Sequence, residues 1–172
     1  MDSTASPPAP AAARHDQARD LVMLEGYLLD HRQWDGWLDL YWEQATYWVP
    51  AWKGEHTLTS DPQSELSLIY YPNRAGLEDR IFRIRTEKSL ASSPLPRTCH
   101  MTSITRITDL PGGDVQVEAN WVVHVYRLDK SHAFFGQQTH VLRRFGERLK
   151  IVKRLTAVNN DTIPDVLDIY SI

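Results

Sequence analysis

The second half of the chain carries the feature that most restricts its fold, namely four long runs of strand-forming residues separated by short turns. These runs are Arg97–Thr108, Val115–Leu128, Ala133–Phe145 and Leu149–Asn159. Between Val115 and Val125, apolar residues alternate with polar ones, which is the period of a strand with one buried face. A connection as short as Pro111–Asp114 joins neighbouring strands as a hairpin and makes them antiparallel. We therefore expect a curved antiparallel meander.

Helical periodicity dominates the sequence before these strands. His15–Asp30 carries an apolar stripe at helical spacing, and Leu77–Arg85 separates apolar from charged residues at the same spacing. The residues from Trp34 to Tyr41 also follow this rule, before the β-branched and aromatic strand Ala45–Pro50. The remaining segments are predicted as a loop at Trp52–Ser64, a short strand at Glu65–Tyr71 and a Ser/Pro linker at Ser89–Pro96. Three helices followed by a meander predict an α+β fold, a cone whose sheet wraps around a helix or encloses a pocket.

Aromatic residues are concentrated in Leu28–Trp52, which contains five of the six tryptophans. A buried aromatic side chain hides roughly 150–250 Å². At about 25 cal/mol per Å², each burial contributes at most ~4–6 kcal/mol. Side chains of this kind line a core, a pocket or a subunit interface, and the choice among the three bears directly on function.

Composition excludes several classes of protein. The 172 residues suit one domain with an ordinary core, and the hydrophobic fraction of 42% with a charged fraction of 24% is typical of a soluble globular protein. A net charge of −3 provides no basic surface for nucleic acid. No apolar run approaches the roughly 18 residues that a membrane span needs.

The cysteine content and the start of the chain bear on the compartment. Cys99 is the single cysteine, which excludes an intrachain disulfide and fits a reducing environment. Met1–Ala13 is rich in proline, alanine and serine and lacks the basic and apolar regions of a secretory signal. We expect residues 1–14 to be a disordered leader, residues 15–172 to be a single domain, and the protein to be cytoplasmic.

Seven histidines raise the question of a metal site. None has the H-x-x-x-H or H-E-x-x-H spacing, and a Rieske cluster needs two cysteines as well as two histidines. His100, His124 and His140 lie on three consecutive predicted strands and could converge on a mononuclear iron. Ordinary hydrogen-bonded strand histidines are the favoured interpretation. Cys99 is adjacent to His100, but successive strand side chains point to opposite faces, which argues against a Cys/His couple.

Charged residues are dense from Glu78 to Arg85, and Arg97 follows further along the chain. A solvated helix face is the default interpretation. The alternative is a set of ion pairs that fixes a subunit contact, since arginine is favoured at interfaces. A phosphate-binding glycine loop, a nucleophile elbow and a dinucleotide fingerprint are all missing from the sequence. Residue chemistry alone therefore indicates no catalytic constellation.

Blocks of sequence spread over nearly the whole chain resemble a known family. They are Leu29–Leu38 (LDHRQWDGWL), Tyr47–Trp52 (YWVPAW), Leu66–Arg74 (LSLIYYPNR), Gly76–Arg80 (GLEDR), Arg97–His100 (RTCH), Phe135-Gly136 and Asp168–Ile172 (DIYSI). In this order they are similar to the small (β) subunits of bacterial aromatic-ring-hydroxylating dioxygenases, the Rieske non-haem iron oxygenases. Leu58–Glu65 (LTSDPQSE) is most similar to the branch that acts on benzoate, toluate, anthranilate and halobenzoates. The sequence departs from the family at Ile104, where an asparagine is usual.

The resemblance implies a cystatin-like (NTF2-like) α+β cone, in agreement with the predicted meander. It implies assembly with a large (α) oxygenase subunit, as three of each, together with contacts to other β subunits. In such enzymes the α subunit carries the Rieske 2Fe-2S cluster and a mononuclear Fe(II), and NADH electrons reach it through a reductase or ferredoxin. O₂ is then added to the aromatic ring to give a cis-diol. The small subunit is structural, so no catalytic residue, cofactor or metal is expected in this chain.

Two further hypotheses remain open beside the structural subunit. For the subunit, the residues expected at the interfaces are Trp48, Trp52, Tyr71, Arg74, Glu78, Arg80 and Arg97. The first alternative is a stand-alone isomerase or dehydratase that uses the cone as a pocket, with His124 or Asp30 as general base. The second is a non-enzymatic carrier that binds a small aromatic acid.

Overall fold

The computed structural model describes residues 11–86 and 93–172. Its helices are α1 (Ala11–Asp30), α2 (Trp34–Asp39) and α3 (Ala75–Arg85). Its strands are β1 (Tyr41–Pro50), β2 (Trp52–Gly54), β3 (Thr57–Leu58), β4 (Ser67–Tyr71), β5 (Arg97–Asp109), β6 (Val115–Arg127), β7 (Lys130–Phe145) and β8 (Arg148–Val158). The predicted α+β class and the four long C-terminal strands are confirmed.

Six strands form one sheet in the order β4-β1-β8-β7-β6-β5, and β2 pairs with β3 in a separate small hairpin. Neighbouring strands of the large sheet are antiparallel, except that β1 runs parallel to β8. The β6–β7 hairpin turns on Leu128 and Asp129, which both have positive φ, at 49° and 60°. Two such residues match the right-handed twist of the flanking strands, which is why the register continues to the very end of the hairpin.

α1 lies against the sheet and contacts β5 more than any other strand. The residues it buries are Ala18, Leu21, Val22, Glu25, Leu28 and Leu29, which follow the helical stripe read from the sequence except for the carboxylate. At Gly26 the helix passes so close to β5 that an added Cβ would lie 2.8 Å from the Cβ of His100. A glycine in mid-helix costs stability by itself, but here it permits the close packing of helix and strand.

Most of the Trp-rich segment belongs to the core. Trp34 and Trp37 are buried, and the ring of Trp37 lies 4.9 Å from that of Tyr41, centroid to centroid. Tyr47 packs next to both rings, at 6.4 Å and 6.2 Å. Trp42 is half-buried and stacks on Phe145. The concentration of aromatic residues therefore fills the space between the helices and the sheet.

The segment Asp168–Ile172 completes this core. Ile169, Tyr170 and Ile172 are all buried among the helices and the sheet. A tight turn shapes the segment, because the backbone N–H of Ser171 donates to the carbonyl of Asp168 at 2.9 Å. The Ser171 hydroxyl is also within 3.0 Å of the backbone N–H of Asp168.

The structure corrects the predicted end of the leader. Ala11–Arg14, inside the leader predicted for residues 1–14, belong to α1, and residues 1–10 lie outside the described part of the chain. Alanine is the best helix former, and the Arg14 guanidinium lies 2.8 Å from the carboxylate of Asp109 on β5.

Two other boundaries also move. Tyr41, predicted on a helix face, instead begins β1, because its side chain turns inward to Glu25. The predicted loop Trp52–Ser64 contains the hairpin of β2 and β3. Of the predicted linker, residues 89–92 lie outside the described residues and residues 93–96 form no helix or strand. None of the described helices is long and apolar enough to cross a membrane.

Candidate functional site

The predicted interface residues do not form one group. Six of them lie between β1 and α3 in sequence, namely Trp48 on β1, Trp52 on β2, Tyr71 on β4, Arg74 directly before α3, and Glu78 and Arg80 on α3. They are spread along the length of β1, because Trp52 follows its C-terminal end, whereas the backbone N–H of Arg74 donates to the carbonyl of Glu43 near its start. Arg97 begins β5, which is the opposite edge strand. The structure therefore brings together neither these six residues nor all seven.

Contacts within the chain already occupy several of these six side chains. The Trp48 indole N–H donates to the Ser67 hydroxyl at 2.8 Å, and only 6% of Trp48 is exposed. Arg74 donates to the Glu78 carboxylate at 2.8 Å and to the Tyr41 carbonyl at 3.1 Å. Trp48 thus stabilises its own chain and leaves little surface for a partner.

Trp52 differs from Trp48 in exposure. Its indole N–H donates to the carbonyl of Val158 at 2.7 Å, which fixes the ring, yet 42% of the residue remains exposed. Leu66 and Leu68 are also exposed, and they flank Ser67, which pairs with Pro50 at the end of β1 that leads to Trp52. A rigid, half-exposed tryptophan beside further apolar side chains is the composition found at the centre of protein interfaces.

Arg80 anchors the C-terminal segment. Its Nε donates to Oδ1 of Asp168 at 2.9 Å, and its Nη2 donates to Oδ2, which makes a bidentate pair. Only 5% of the Asp168 side chain and 17% of the Arg80 side chain are exposed. The hydrogen bond to Asp168 raises the pKa of Arg80 above its ordinary value. The pair ties α3 to the segment that fills the core, so Arg80 has a structural role within the chain.

A buried polar cluster crosses the interior from α1 to the sheet. Oε2 of Glu25 lies 2.8 Å from Nε2 of His140 on β7, and its Oε1 accepts from Nη1 of Arg154 on β8 at 3.2 Å. The Tyr41 hydroxyl also donates to Glu25, and the Arg154 guanidinium lies over the Tyr47 ring at 5.1 Å. Each of these side chains is almost completely buried.

Mutual pairing keeps the buried cluster charged. Burial acts to raise the pKa of Glu25, but the charges of Arg154 and His140 outweigh it and lower the pKa to about 2. Burial also raises the pKa of both Tyr41 and Tyr47 far above the ordinary tyrosine value, and the Glu25 carboxylate adds to this effect. The tyrosines therefore remain neutral hydrogen-bond donors. The cluster is an internal ion pair with its hydrogen bonds in place, as a buried charge requires.

A second carboxylate–histidine pair joins α1 to β5. Asp30 accepts from the backbone N–H of His100 at 2.9 Å and from the Thr98 hydroxyl at 2.8 Å, and its Oδ1 lies 2.6 Å from Nδ1 of His100. Burial acts to raise the pKa of Asp30, but these hydrogen bonds lower it below its ordinary value. Such a carboxylate is a poor general base, because catalysis at neutral pH favours a base whose pKa lies closer to neutrality.

The three strand histidines do not converge. His100 and His140 point to the α1 side of the sheet, each towards its own carboxylate. His124 is exposed on the other face, where it is the cross-strand partner of Cys99. Adjacent strand positions alternate between faces, and this separates the predicted set. Among residues 11–86 and 93–172, no group of three or more histidine, cysteine, aspartate or glutamate side chains could hold a metal ion.

A small internal cavity lies next to the buried polar cluster. It has a volume of about 10 Å³ and lies between Glu25, His100, Trp121, Arg154 and Ile172. A volume of this size corresponds to about one water molecule. Three nitrogens on its lining residues are buried without a hydrogen-bond partner among the described atoms, namely His100 Nε2, Trp121 Nε1 and Arg154 Nε. This part of the interior is thus filled by the chain's own aromatic rings, ion pairs and C-terminal segment.

Sequence reasoning missed the buried cluster. Glu25 stands on the apolar stripe of α1 between Val22 and Leu29, and Arg154 stands at an inward position of β8. One acidic and one basic residue at predicted buried positions were the signal that could have indicated an internal ion pair. Their pairing could not be read from the sequence, because 129 positions separate them.

The sequence of the chain is similar to a known protein family and to several characterised proteins. Residues 24–165 match the model of a family described as "Ring hydroxylating beta subunit". The chain is 42% identical to benzoate 1,2-dioxygenase subunit beta of Acinetobacter baylyi, over 91% of this chain and 93% of that protein. It is 40% identical to toluate 1,2-dioxygenase subunit beta of Pseudomonas putida, over 92% of this chain and 98% of that protein.

Solved structures agree with the sequence matches. The β subunit of the benzoate 1,2-dioxygenase from Burkholderia mallei has a TM-score of 0.74 and 36% identity, over 90% of this chain and 95% of that one. An NTF2-like protein with a cystatin-like fold from Novosphingobium aromaticivorans has a TM-score of 0.57 at 15% identity, over 91% of this chain and 93% of that one. The second likeness concerns the fold alone, and it confirms the expected cystatin-like cone.

Proposed function

The chain belongs to the ring-hydroxylating β-subunit family, and from this premise we propose that it is the structural small subunit of a dioxygenase acting on a benzoate-type aromatic acid. The similarity to the benzoate and toluate dioxygenase β subunits over nearly the whole of both chains carries this proposal. The anthranilate 1,2-dioxygenase small subunit of Acinetobacter baylyi is 38% identical and supports the same group of substrates.

The large subunit supplies the chemistry in this proposal. It holds the Rieske 2Fe-2S cluster and the mononuclear Fe(II), receives NADH electrons through a reductase or ferredoxin, and adds O₂ to the ring to form a cis-diol. Three large and three small subunits form the cytoplasmic oxygenase, in which each small subunit also contacts other copies of itself. The small subunit contributes a rigid surface that holds its partner in position.

The contacts in the interior of this chain support its role as a rigid subunit. The Glu25–Arg154 pair, the Arg80–Asp168 pair and the buried aromatic rings hold α1, α3 and the segment Asp168–Ile172 to one sheet. We propose that the exposed ring of Trp52 is the central contact with a neighbouring subunit. Tyr71, Arg74 and Glu78 provide further contacts towards the other end of β1, whereas Trp48 and Arg80 act by stabilising the chain from within.

The pocket-enzyme hypothesis is less well supported. It needs a cone with an open interior, whereas the cavity beside Glu25 and His100 inside the cone holds about 10 Å³. Of its two alternative bases, Asp30 is bound to His100 and Thr98, and His124 lies on the outer face. The carrier hypothesis is left with the surface clefts of the chain, such as the one of about 480 Å³ beside Trp121 and Phe135.

Co-purification tests the proposal. The chain is expressed with the large oxygenase subunit encoded in the same genome, and an affinity tag on one subunit is used to isolate the other. A stable complex is expected, in which iron is present and benzoate is converted only when the large subunit is included. Benzoate oxidation by the isolated chain, or the absence of any complex with the large subunit, contradicts the proposal.

A further inference from the structure

Three arginines surround a surface cleft on the side of the molecule where α1 and α3 end and β5 begins. The cleft has a volume of about 580 Å³, and its lining residues are Arg32, Trp34, Ile84, Arg85, Ser93, Pro94, Leu95 and Arg97. Trp34 and Ile84 are buried and form an apolar floor, whereas Arg32 and Arg97 are exposed. Among the described residues that line it, there are three guanidinium groups and no carboxylate.

The charge of this cleft stands out against that of the whole protein. The chain has a formal net charge of −3, yet the charged side chains among the described lining residues are all positive. Asp35 pairs with Arg85 at 2.8 Å, but both side chains are solvent-exposed, at 82% and 47%. An exposed ion pair of this kind is weak and readily exchanged for another carboxylate. Guanidinium groups over an apolar floor can bind carboxylates with two hydrogen bonds each.

The backbone of Arg32 adds a second, independent observation. Arg32 follows α1 with φ at 54°, a left-handed conformation that glycine adopts far more readily than other residues. The turn is closed by hydrogen bonds from the N–H groups of Arg32 and Gln33 to the carbonyls of Leu29 and Leu28. One guanidinium nitrogen donates weakly to the Pro96 carbonyl, at 3.3 Å, and the residue is otherwise exposed. Arginine is therefore placed at the rim of the cleft at a conformational cost that glycine would avoid.

A complementary occupant of the cleft carries aspartate or glutamate side chains. Most of the described carboxylates of this chain already face a cation or a histidine of their own chain, so charge favours a different polypeptide. Exposed carboxylates such as Asp20 and Asp79 form none of these pairs, and a second copy is therefore the alternative occupant that self-association tests.

We propose that the cleft is a docking site for an acidic segment of the large oxygenase subunit, whose carboxylates pair with Arg32, Arg85 and Arg97 above Trp34. This inference rests on the proposed function and names a surface for it. It also gives Arg97 a role, although the residue lies far from the other predicted interface residues in the order of strands. Two separate contact regions then bind the small subunit to its neighbours.

Charge reversal in the complex tests the docking site. Arg97→Glu is compared with Arg106→Glu, a matched control on the same strand that is 71% exposed in its side chain and lies outside the cleft. Arg97→Glu is expected to weaken binding to the large subunit by about tenfold or more, while Arg106→Glu leaves it nearly unchanged. Raising the salt concentration should weaken the wild-type complex and the Arg106→Glu complex far more than the Arg97→Glu complex.

Arg32→Gly separates a docking role from a structural one. Glycine suits the left-handed backbone, so thermal stability of the isolated chain should be kept or raised, while binding to the large subunit weakens. Equal binding by wild type, Arg97→Glu and Arg32→Gly overturns the docking site while leaving the subunit role intact, provided that the wild type binds. Loss of self-association with normal binding to the large subunit, or saturable binding of benzoate to the isolated wild type that Arg97→Glu abolishes, also overturns it. Failure of the wild type itself to bind the large subunit refutes the proposed function instead.

Discussion

Oε2 of Glu25 lies 2.8 Å from Nε2 of His140 and joins the first helix to a central strand across 115 positions of sequence. Neither side chain reaches solvent to any extent, at 4% and 0% exposure. With Arg154 on the adjacent strand, the pair fixes how α1 sits on the sheet. A β subunit that serves as a rigid support depends on such contacts, and their energetic role can be measured directly.

Glu25→Gln should lower the free energy of unfolding by about 3–5 kcal/mol, because it leaves the buried Arg154 without its counter-charge. Asp16→Asn is the matched control, since Asp16 lies on the same helix and pairs with Arg19 at the surface. Its effect should stay below about 1 kcal/mol. Denaturant unfolding of the two isolated chains measures both values, and equal effects would show that the buried pair contributes no special stability.

Acid should destabilise the chain through Glu25. The folded-state pKa of about 2 lies below the ordinary glutamate pKa of 4.5, so the unfolded chain binds the proton first as the pH falls. The stabilisation is therefore complete above about pH 4.5 and is lost progressively towards pH 2, by on the order of 3 kcal/mol. Unfolding midpoints measured across this range should fall more steeply for wild type than for Glu25→Gln. Parallel curves for the two chains would be incompatible with this assignment.

Gly26→Ala should destabilise the chain by about 1–3 kcal/mol, even though alanine favours helices, because the new methyl group would lie 2.8 Å from His100. Gly36→Ala on α2 is the control. Its methyl group would meet only the flexible end of Leu28 at 3.4 Å, and stability should stay the same or rise by about 0.5–1 kcal/mol. Thermal melts of both variants provide the comparison. An increase for Gly26→Ala would mean that helix and strand are not in close contact.

Arg80→Lys keeps the positive charge at position 80 but removes the bidentate hydrogen bonds to Asp168. We expect a loss of about 1.5–3 kcal/mol and faster amide hydrogen exchange in Ile169–Ile172, the segment that the contact holds in the core. Arg83→Lys is an exposed control on the same helix and should change neither quantity. Unchanged exchange in Arg80→Lys would show that the segment is held by its apolar side chains alone.

Trp48→Ala and Trp52→Ala should separate stability from assembly. Because Trp48 is buried, Trp48→Ala should lower the free energy of unfolding by about 3–5 kcal/mol. Because Trp52 is half-exposed, Trp52→Ala should lower the free energy of unfolding of the isolated chain by less. It should weaken the oxygenase complex, as truncating a central interface aromatic does. Unfolding of the isolated chain and size-exclusion profiles of the complex give the two readouts. A normal profile for Trp52→Ala would remove Trp52 from the interface.

The regular parts of the fold could be predicted because they repeat locally. β6 follows a strict two-residue alternation, and the turns beside it are short, so four strands and their antiparallel order are visible in the sequence. α1 was recognised from its apolar stripe. The start of β1 was wrong, because Tyr41 fits the helical spacing of Trp34 and Trp37 and only its buried contact with Glu25 shows otherwise.

The candidate sites were less predictable than the fold because they depend on distant partners. The parallel pairing of β1 with β8, the Arg80–Asp168 contact and the Glu25–Arg154 pair each join residues far apart in sequence. The predicted interface set mixes exposed Trp52 with buried Trp48, since residue type does not reveal exposure. Arg32 gave no local signal, because its role depends on a left-handed backbone found only in the structure.

The rate of benzoate oxidation in a reconstituted oxygenase tests the structural role most directly. The large subunit, its reductase and NADH are held constant while the purified chain is added in increasing amounts, and cis-diol formation is measured. We expect no product from the chain without the large subunit, and a rate that saturates once the chain matches the large subunit in amount. Product formed by the chain, reductase and NADH alone would contradict this expectation.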